Sequence, residues 1–412
     1  MAPGSSLSSL RFRLLWAGQS VSVLGDGAAV LAVPLLVLRA TDSVLATALV
    51  VASRTAAYLV VGLVAGALVD RWDVRRVLIV SDALRAVSFV LLPAVVLLPA
   101  GGWLVLGVAF GASSAGVFFE TAIAIAVKDS LAPKDLVAGN ARLELSNQLG
   151  LLVGPAAIGV ALASLGVETC LYINAATFAV SALTIVPLRF GRTERNTAGG
   201  SKIWRDMMSG VRYIRSSQII ANIVSLQVVI NFVVAVEVLI VVYATRGLQA
   251  SPTWVGIILS AAGVGGLVAM TVARWAANRF ASERLIAWSV IALGFSLLAM
   301  ALARNAVQLC VVNAVHGALS VLATVNIRAV RQRVVPRELL GRVTASARSA
   351  AMAAHPFGAA LFGVLAQAAD GNARWAFLTA AVLSLLSAVV AYRGLLRTAR
   401  TDAGTPEKAP EG

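Results

Sequence analysis

The chain has 412 residues, 59% of them hydrophobic and only 13% charged, whereas an ordinary soluble domain carries about 25% charged residues. That balance excludes a cytosolic globular protein and places the chain in lipid. The net charge of +15 would suggest nucleic acid in a soluble protein, but here the Lys and Arg residues fall almost entirely between alternate apolar runs, so no nucleic-acid partner is implied.

A bilayer core about 30 Å thick requires about 20 mostly apolar residues per helix. Runs of that length recur from end to end, rich in Ala, Leu, Val and Gly and without alternation of period two, so the expectation is an all-α membrane protein and not a barrel. Met1 to Arg13 is short and polar, leads into a run too long for a signal-peptide core and lacks a small-residue cleavage site, so it is expected to stay as the start of the first helix. Helices are expected at about 13–39, 44–69, 77–98, 103–127, 139–165 and 169–188, then at about 219–244, 252–274, 284–303, 306–328, 340–366 and 374–395.

Arg71, Arg75, Arg76, Lys128, Lys134, the stretch from Arg189 to Arg215, Arg274, Arg279, Arg284, Arg328, Arg331, Arg333, Arg337, Arg393, Arg397 and Arg400 then share one side, against Arg39, Arg246, Arg304 and Arg374 on the other. The positive-inside rule puts both termini in the cytoplasm of a multi-pass cell-membrane protein. The expected organisation is an N-terminal bundle over residues 1–189, a basic cytoplasmic linker over 190–218, a C-terminal bundle over 219–396 and a disordered tail over 397–412. Trp204, Met207, Met208, Val211, Tyr213 and Ile214 give part of the linker the pattern of an interfacial amphipathic helix, with a tethered basic loop as the alternative. Cys170 and Cys310 stand in apolar surroundings and supply neither a disulfide framework nor a metal cluster; no cofactor or metal is expected.

The two halves read as copies. Pro133-Lys134-Asp135-Leu136 before the fifth helix matches Pro336-Arg337-Glu338-Leu339 before the eleventh, and Asp70-Arg71-Trp72 after the second matches Asn278-Arg279-Phe280 after the eighth. Parallel repeats of six helices are one of the transporter architectures, with the substrate site near the midplane between the halves.

Gly66, Asp70, Arg71, Arg75 and Arg76 mark the loop after the second helix, where a glycine, an acid and clustered arginines can hold two helix ends together as a conformational latch; a purely topogenic basic loop is the alternative. Gly150, Gly154, Pro155 and Gly159 in the fifth helix combine a small-residue packing face with a bend. Together with the stretch Trp16 to Asp26, these motifs resemble the major facilitator superfamily, and within it the drug:proton antiporter branch that includes macrolide and siderophore exporters. The loop differs in carrying Asp73 and Val74 where many members have Gly and Arg, and Ile158 stands in place of one expected glycine. The resemblance covers nearly the whole chain and implies twelve transmembrane helices in two pseudo-symmetric six-helix bundles.

No phosphate-binding Gly-x-x-x-x-Gly-Lys-Ser/Thr loop is present, so energy is expected from an ion or solute gradient. Each ionisable residue inside the membrane costs about 2.5–3.5 kcal/mol to insert and is a functional candidate. Asp26, halfway along the first helix, is the leading proton carrier, with Arg54 of the antiparallel second helix as its expected partner; a structural salt bridge is the alternative. Glu120, Arg142 and Glu144 are expected to form a self-neutralising inner cluster. Glu237, His316 and His355 are candidates for cavity lining or proton relay, beside the bland reading of satisfied polar side chains. Asn231, Asn313 and Gln227 are candidate lining groups, and Arg348 is a candidate anion-binding or snorkelling residue.

The reading that follows is a monomeric, proton-coupled exporter of a small amphipathic molecule, working by alternating access and not an enzyme. Uptake by symport, a non-transporting sensor or scaffold, and an enzyme acting on lipid are the competing readings. For the last there is no recognisable nucleophile, base and orienting group in the sequence.

Overall fold

The computed structural model describes residues 9–69, 71–98, 101–132, 135–190 and 200–402, and these residues form helices and no strands. In chain order they are α1 (Leu10–Thr41), α2 (Val44–Val69), α3 (Val74–Val95), α4 (Gly101–Ser130), α5 (Leu136–Ile185), α6 (Gly200–Ser216) and α7 (Gln218–Val234). The last runs on through a 3-10 turn (Ala235–Leu239), α8 (Ile240–Val242) and a π turn (Tyr243–Gly247). Then come α9 (Pro252–Arg279), α10 (Ser282–Leu302), α11 (Ala306–Val334), α12 (Arg337–Ala368) and α13 (Arg374–Asp402). Local signals set the ends. Ser9, Asp73, Ser251 and Asn305 cap α1, α3, α9 and α11 by accepting backbone N–H groups of the first turn, and α9 has proline in its first turn. Asp73, which departs from the superfamily pattern, is thus the residue that starts α3.

Among the described residues, ten stretches are long and apolar enough to cross a membrane. One of them, in α5, is too long for a single pass, because 50 residues would extend about 75 Å as a straight helix. Gly166, at φ 79° and ψ 164°, folds it into two legs in a conformation essentially open only to glycine. Both legs press on α1. Trp16 meets Ser146 and Gly27 meets Gly154 along the first leg, while Gly18 meets Thr184 and Gly25 meets Asn174 along the second, so the legs run parallel and antiparallel to α1. Counting the legs separately and adding the apolar stretch Arg374–Ala388 of α13 gives the twelve passes expected from the sequence.

The helices form two six-pass bundles with the same internal neighbours. In the first, α2 and α3 pack on α4, and α3 packs on α5; in the second, α9 and α10 pack on α11, and α10 packs on α13. Between bundles the main seams are α5 with α9 and α2 with α12, related by the same repeat.

The apolar cores reveal how the bundles sit together. At the end of the molecule near the chain termini, Phe12, Val77, Phe119 and Leu131 form a core confined to the first bundle, and Ile223, Ile286 and Ile327 form one confined to the second. At the opposite, far end a single core joins both, with Leu35, Val50 and Ile158 beside Val236, Ile258 and Phe362. The bundles therefore meet at the far end and part at the terminal end. There α6 lies against α12 and the end of α11, with Gly210 on the Arg342 carbonyl of α12 and the Tyr213 hydroxyl donating to the Val334 carbonyl of α11 at 3.3 Å. α13 continues as helix to Asp402, and the rest of the expected tail lies outside the described residues.

Candidate functional site

A cavity of about 390 Å³ opens within the first bundle, walled by α1 to α5. That volume is in the range of small-molecule sites, about 300–1,000 Å³. Its polar wall includes Asp26, Arg54, Tyr58, Arg85, Glu120 and Glu144, and its apolar wall includes Phe89 and Phe119.

Two glycines fix the place of Asp26. A Cβ on Gly25 would lie 2.2 Å from Asn174 Oδ1, and one on Gly27 would lie 2.0 Å from the Gly150 carbonyl oxygen, so only glycine at both positions lets α1 press between the legs of α5. Asp26 sits between these contacts and turns into the cavity. Its Oδ2 accepts from Arg85 Nη2 at 2.5 Å. Arg85 also donates through Nη1 to Asp82 Oδ1 at 3.4 Å, and its guanidinium stacks 3.9 Å from the centre of the Phe178 ring. Asp82 is fully buried, whereas the Asp26 side chain is 26% exposed. One cation thus bridges two carboxylates, and the carboxylate open to the cavity is Asp26.

The expected partner, Arg54, is not the one observed. Arg54 lines the same cavity, but among the described residues it has no carboxylate within ion-pair distance. Arg85 and Asp82 belong to no motif, yet they stand three apart in the apolar run of the third helix and, like Asp26, are ionisable residues inside the membrane.

Glu120, Arg142 and Glu144 do not come together. Glu120 shares the cavity wall with Tyr58, Glu144 accepts from Gln148 Nε2 at 2.7 Å, and the Arg142 guanidinium lies 5.9 Å from the Trp16 ring centre. Glu120 and Glu144 line the cavity; Arg142 is exposed on α5.

In the loop after α2, Asp70 lies outside the described residues, and Gly66 falls in the last turn of α2. Arg71 and Arg76 are exposed, and Arg75 donates to the Val186 carbonyl at the end of α5. The fifth-helix motif divides its contacts between bundles. Gly150 and Gly154 pack on Val23 and Gly27 of α1, while Pro155 and Gly159 pack on Gly256 and Pro252 of α9, where Thr253 donates to the Gly159 carbonyl at 3.2 Å.

The second bundle holds the remaining candidates. Asn231 donates to the Gln227 carbonyl, and the Gln227 side chain accepts from Arg331; Asn313 donates to the Ile258 carbonyl, tying α11 to α9. Arg348 is exposed on α12. His316, fully buried on α11, places Nε2 2.7 Å from Glu237 Oε1 in the 3-10 turn after α7, and His355 of α12 is half-buried.

The family model for transmembrane secretion effectors matches residues 1–411. The chain is 29% identical over 384 residues to the multidrug efflux pump Tap of Mycolicibacterium fortuitum, covering 89% of this chain and 91% of that one. The nucleoside transporter NupG shares the fold at a TM-score of 0.75 with 12% identity, covering 96% of this chain and 100% of its own. So does a bacterial homologue of the lysosomal transporter Spinster, captured in an inward-facing, unoccupied conformation, at a TM-score of 0.70 and 12% identity, with 95% and 98% covered. The chain belongs to the transmembrane secretion effector family of the major facilitator superfamily.

Proposed function

We propose that this protein exports small amphipathic molecules across the cell membrane in exchange for protons, with Asp26 as the proton-binding group and Arg85 as the cation that reads its charge. The observation that carries the reading is the ion pair Asp26–Arg85 on the wall of the cavity, with Asp82 buried behind it. When Asp26 is ionised, Arg85 is shared between two carboxylates. When Asp26 takes a proton, Arg85 is left to Asp82 alone, and the hold of α3 on α1 weakens. A proton bound at one membrane face and released at the other can thereby drive rearrangement of the first bundle.

The bundles over 1–189 and 219–396 are the rocking units, joined by the segment that carries α6. Both termini and the basic loops lie in the cytoplasm by the positive-inside rule. On that orientation the far end is extracellular and sealed by the common core, and the parted end opens to the cytoplasm. A cavity with aromatic walls and a few charges suits a lipophilic compound with a polar or ionisable group, entering from the cytoplasm or inner leaflet. The similarity to a multidrug efflux pump over nine-tenths of the chain supports export.

The test uses everted vesicles in which respiration sets up a proton gradient. Adding drugs, dyes and siderophores one at a time should collapse the gradient for at least one compound in vesicles containing the protein and in none lacking it. Accumulation of a compound on the cytoplasmic side together with protons would instead identify uptake.

A further inference from the structure

We propose that Glu237 and His316 hold one proton between them and form a second proton-binding site, in the C-terminal bundle and separate from Asp26. It rests on the hydrogen bond at one ring nitrogen of His316 and the carboxylate at ion-pair distance from the other, and does not depend on export.

Ser296 fixes the proton on one side of the ring. Its Oγ lies 2.7 Å from the Leu293 carbonyl oxygen, which can only accept, so the single hydroxyl hydrogen is used there. The same Oγ lies 2.7 Å from His316 Nδ1 and must therefore accept, which puts a proton on Nδ1. Nε2 on the other side of the ring lies 2.7 Å from Glu237 Oε1, at ion-pair distance but off the line of an Nε2–H hydrogen bond. Without a further proton this would hold a carboxylate oxygen against the unprotonated nitrogen of a fully buried ring. A proton from water resolves it, bound as imidazolium against carboxylate or as carboxylic acid against imidazole, and either way the net charge of the pair goes from −1 to zero.

Access and consequence are both built in. The ring of His316 is fully buried, whereas the Glu237 side chain is 35% exposed and provides the route for the proton. Glu237 sits in the 3-10 turn that interrupts the seventh pass, and its neighbours Val236 and Leu239 belong to the core shared by both bundles. That turn packs on α2 of the first bundle and on α12 and α13. Loss of the proton would push Glu237 from His316 and disturb the turn that mates with α2. The titratable groups facing Glu237 are His316 from α11 and His355 from α12. Arg54 of α2 lies in the other bundle's cavity, Arg348 of α12 is exposed, and Arg374 of α13 is engaged with the Tyr243 hydroxyl and the Ala303 carbonyl.

The chain has two histidines, so His355→Gln leaves His316 as the sole imidazole. Nitrogen NMR of the full-length His355→Gln protein in lipid, with labelled histidine at about pH 7, reads both ring nitrogens. The expected result is a proton on Nδ1 and a second proton at or shared with Nε2. Adding Glu237→Gln should remove the second proton and leave a neutral ring protonated on Nδ1. Should that variant fail to fold, Ser296→Ala, which takes away only the Nδ1 acceptor, should shift the Nδ1 signal while the second proton stays at or shared with Nε2. Asp26→Asn should leave the ring unchanged, separating this site from the one in the first bundle. A neutral ring with its only proton on Nε2, or a ring form indifferent to both Glu237→Gln and Ser296→Ala, would overturn the proposal.

Discussion

Asp26 of α1 and Arg85 of α3 meet at 2.5 Å on the wall of the first bundle's cavity, and Asp82 stands 3.4 Å from the other terminal nitrogen of the same guanidinium. Two acids on one cation leave an excess negative charge beside the rings of Phe119 and Phe178. Of the two acids, Asp26 is the one open to the cavity, which is why the proposed coupling assigns the proton to it.

Removing Arg85 leaves both carboxylates without their cation. Breaking a buried pair by deleting one partner costs about 3–5 kcal/mol, so Arg85→Gln should lower the thermal midpoint of the purified protein clearly. Asp26→Asn combined with Arg85→Gln should recover part of that loss, because the two changes act on one interaction. Strictly additive losses in a double-mutant cycle would mean that the pair is not coupled.

Arg54 shares the cavity without pairing. Arg54→Gln should therefore alter substrate affinity while retaining a proton response, and it should cost less than about 1 kcal/mol of stability as an exposed polar change. A proton response lost in Arg54→Gln and kept in Arg85→Gln would reverse the assignment.

The seam between bundles rests on glycine. A Cβ on Gly256 would lie 2.3 Å from the Pro155 carbonyl oxygen, whereas nothing stands within 4 Å of a Cβ on Gly107 or Gly111. Gly256→Val should wedge the far end open, increase thiol labelling of a cysteine placed there and reduce transport at least tenfold. Gly107→Ala should be neutral or stabilise by up to about 1 kcal/mol, the usual gain in a helix interior. Equal behaviour of the two variants would show that the seam does not set the conformation.

Arg246 and Asp42 join the bundles at the rim of the same end, but the Asp42 side chain is 91% exposed. Exposed pairs contribute about 0.2–1 kcal/mol. Asp42→Asn should change transport less than about fivefold, the equivalent of 1 kcal/mol, in a direct comparison with Gly256→Val.

Much of this architecture is legible in the sequence. Apolar run length marks the passes, the long break near 190–218 divides them six and six, and the glycines of the fifth helix announce close packing. Run length says nothing of helix rotation, however, and rotation decides that Arg85 reaches Asp26 while Arg54, at similar depth, does not. The scattered positions of Glu120, Arg142 and Glu144 have the same cause. Gly159 reads as a local packing glycine, and only the docked bundles reveal that it faces α9. The 3-10 turn that presents Glu237 to His316 has no proline or glycine to announce it, since Ala235–Leu239 reads as ordinary apolar helix.

The most direct test of the account compares wild type with Asp26→Asn in everted vesicles holding a respiration-driven proton gradient. With a compound that collapses the gradient through the wild-type protein, no collapse is expected through Asp26→Asn at matched membrane expression. Collapse of equal size through both would contradict it and leave the Asp26–Arg85 pair a structural bond.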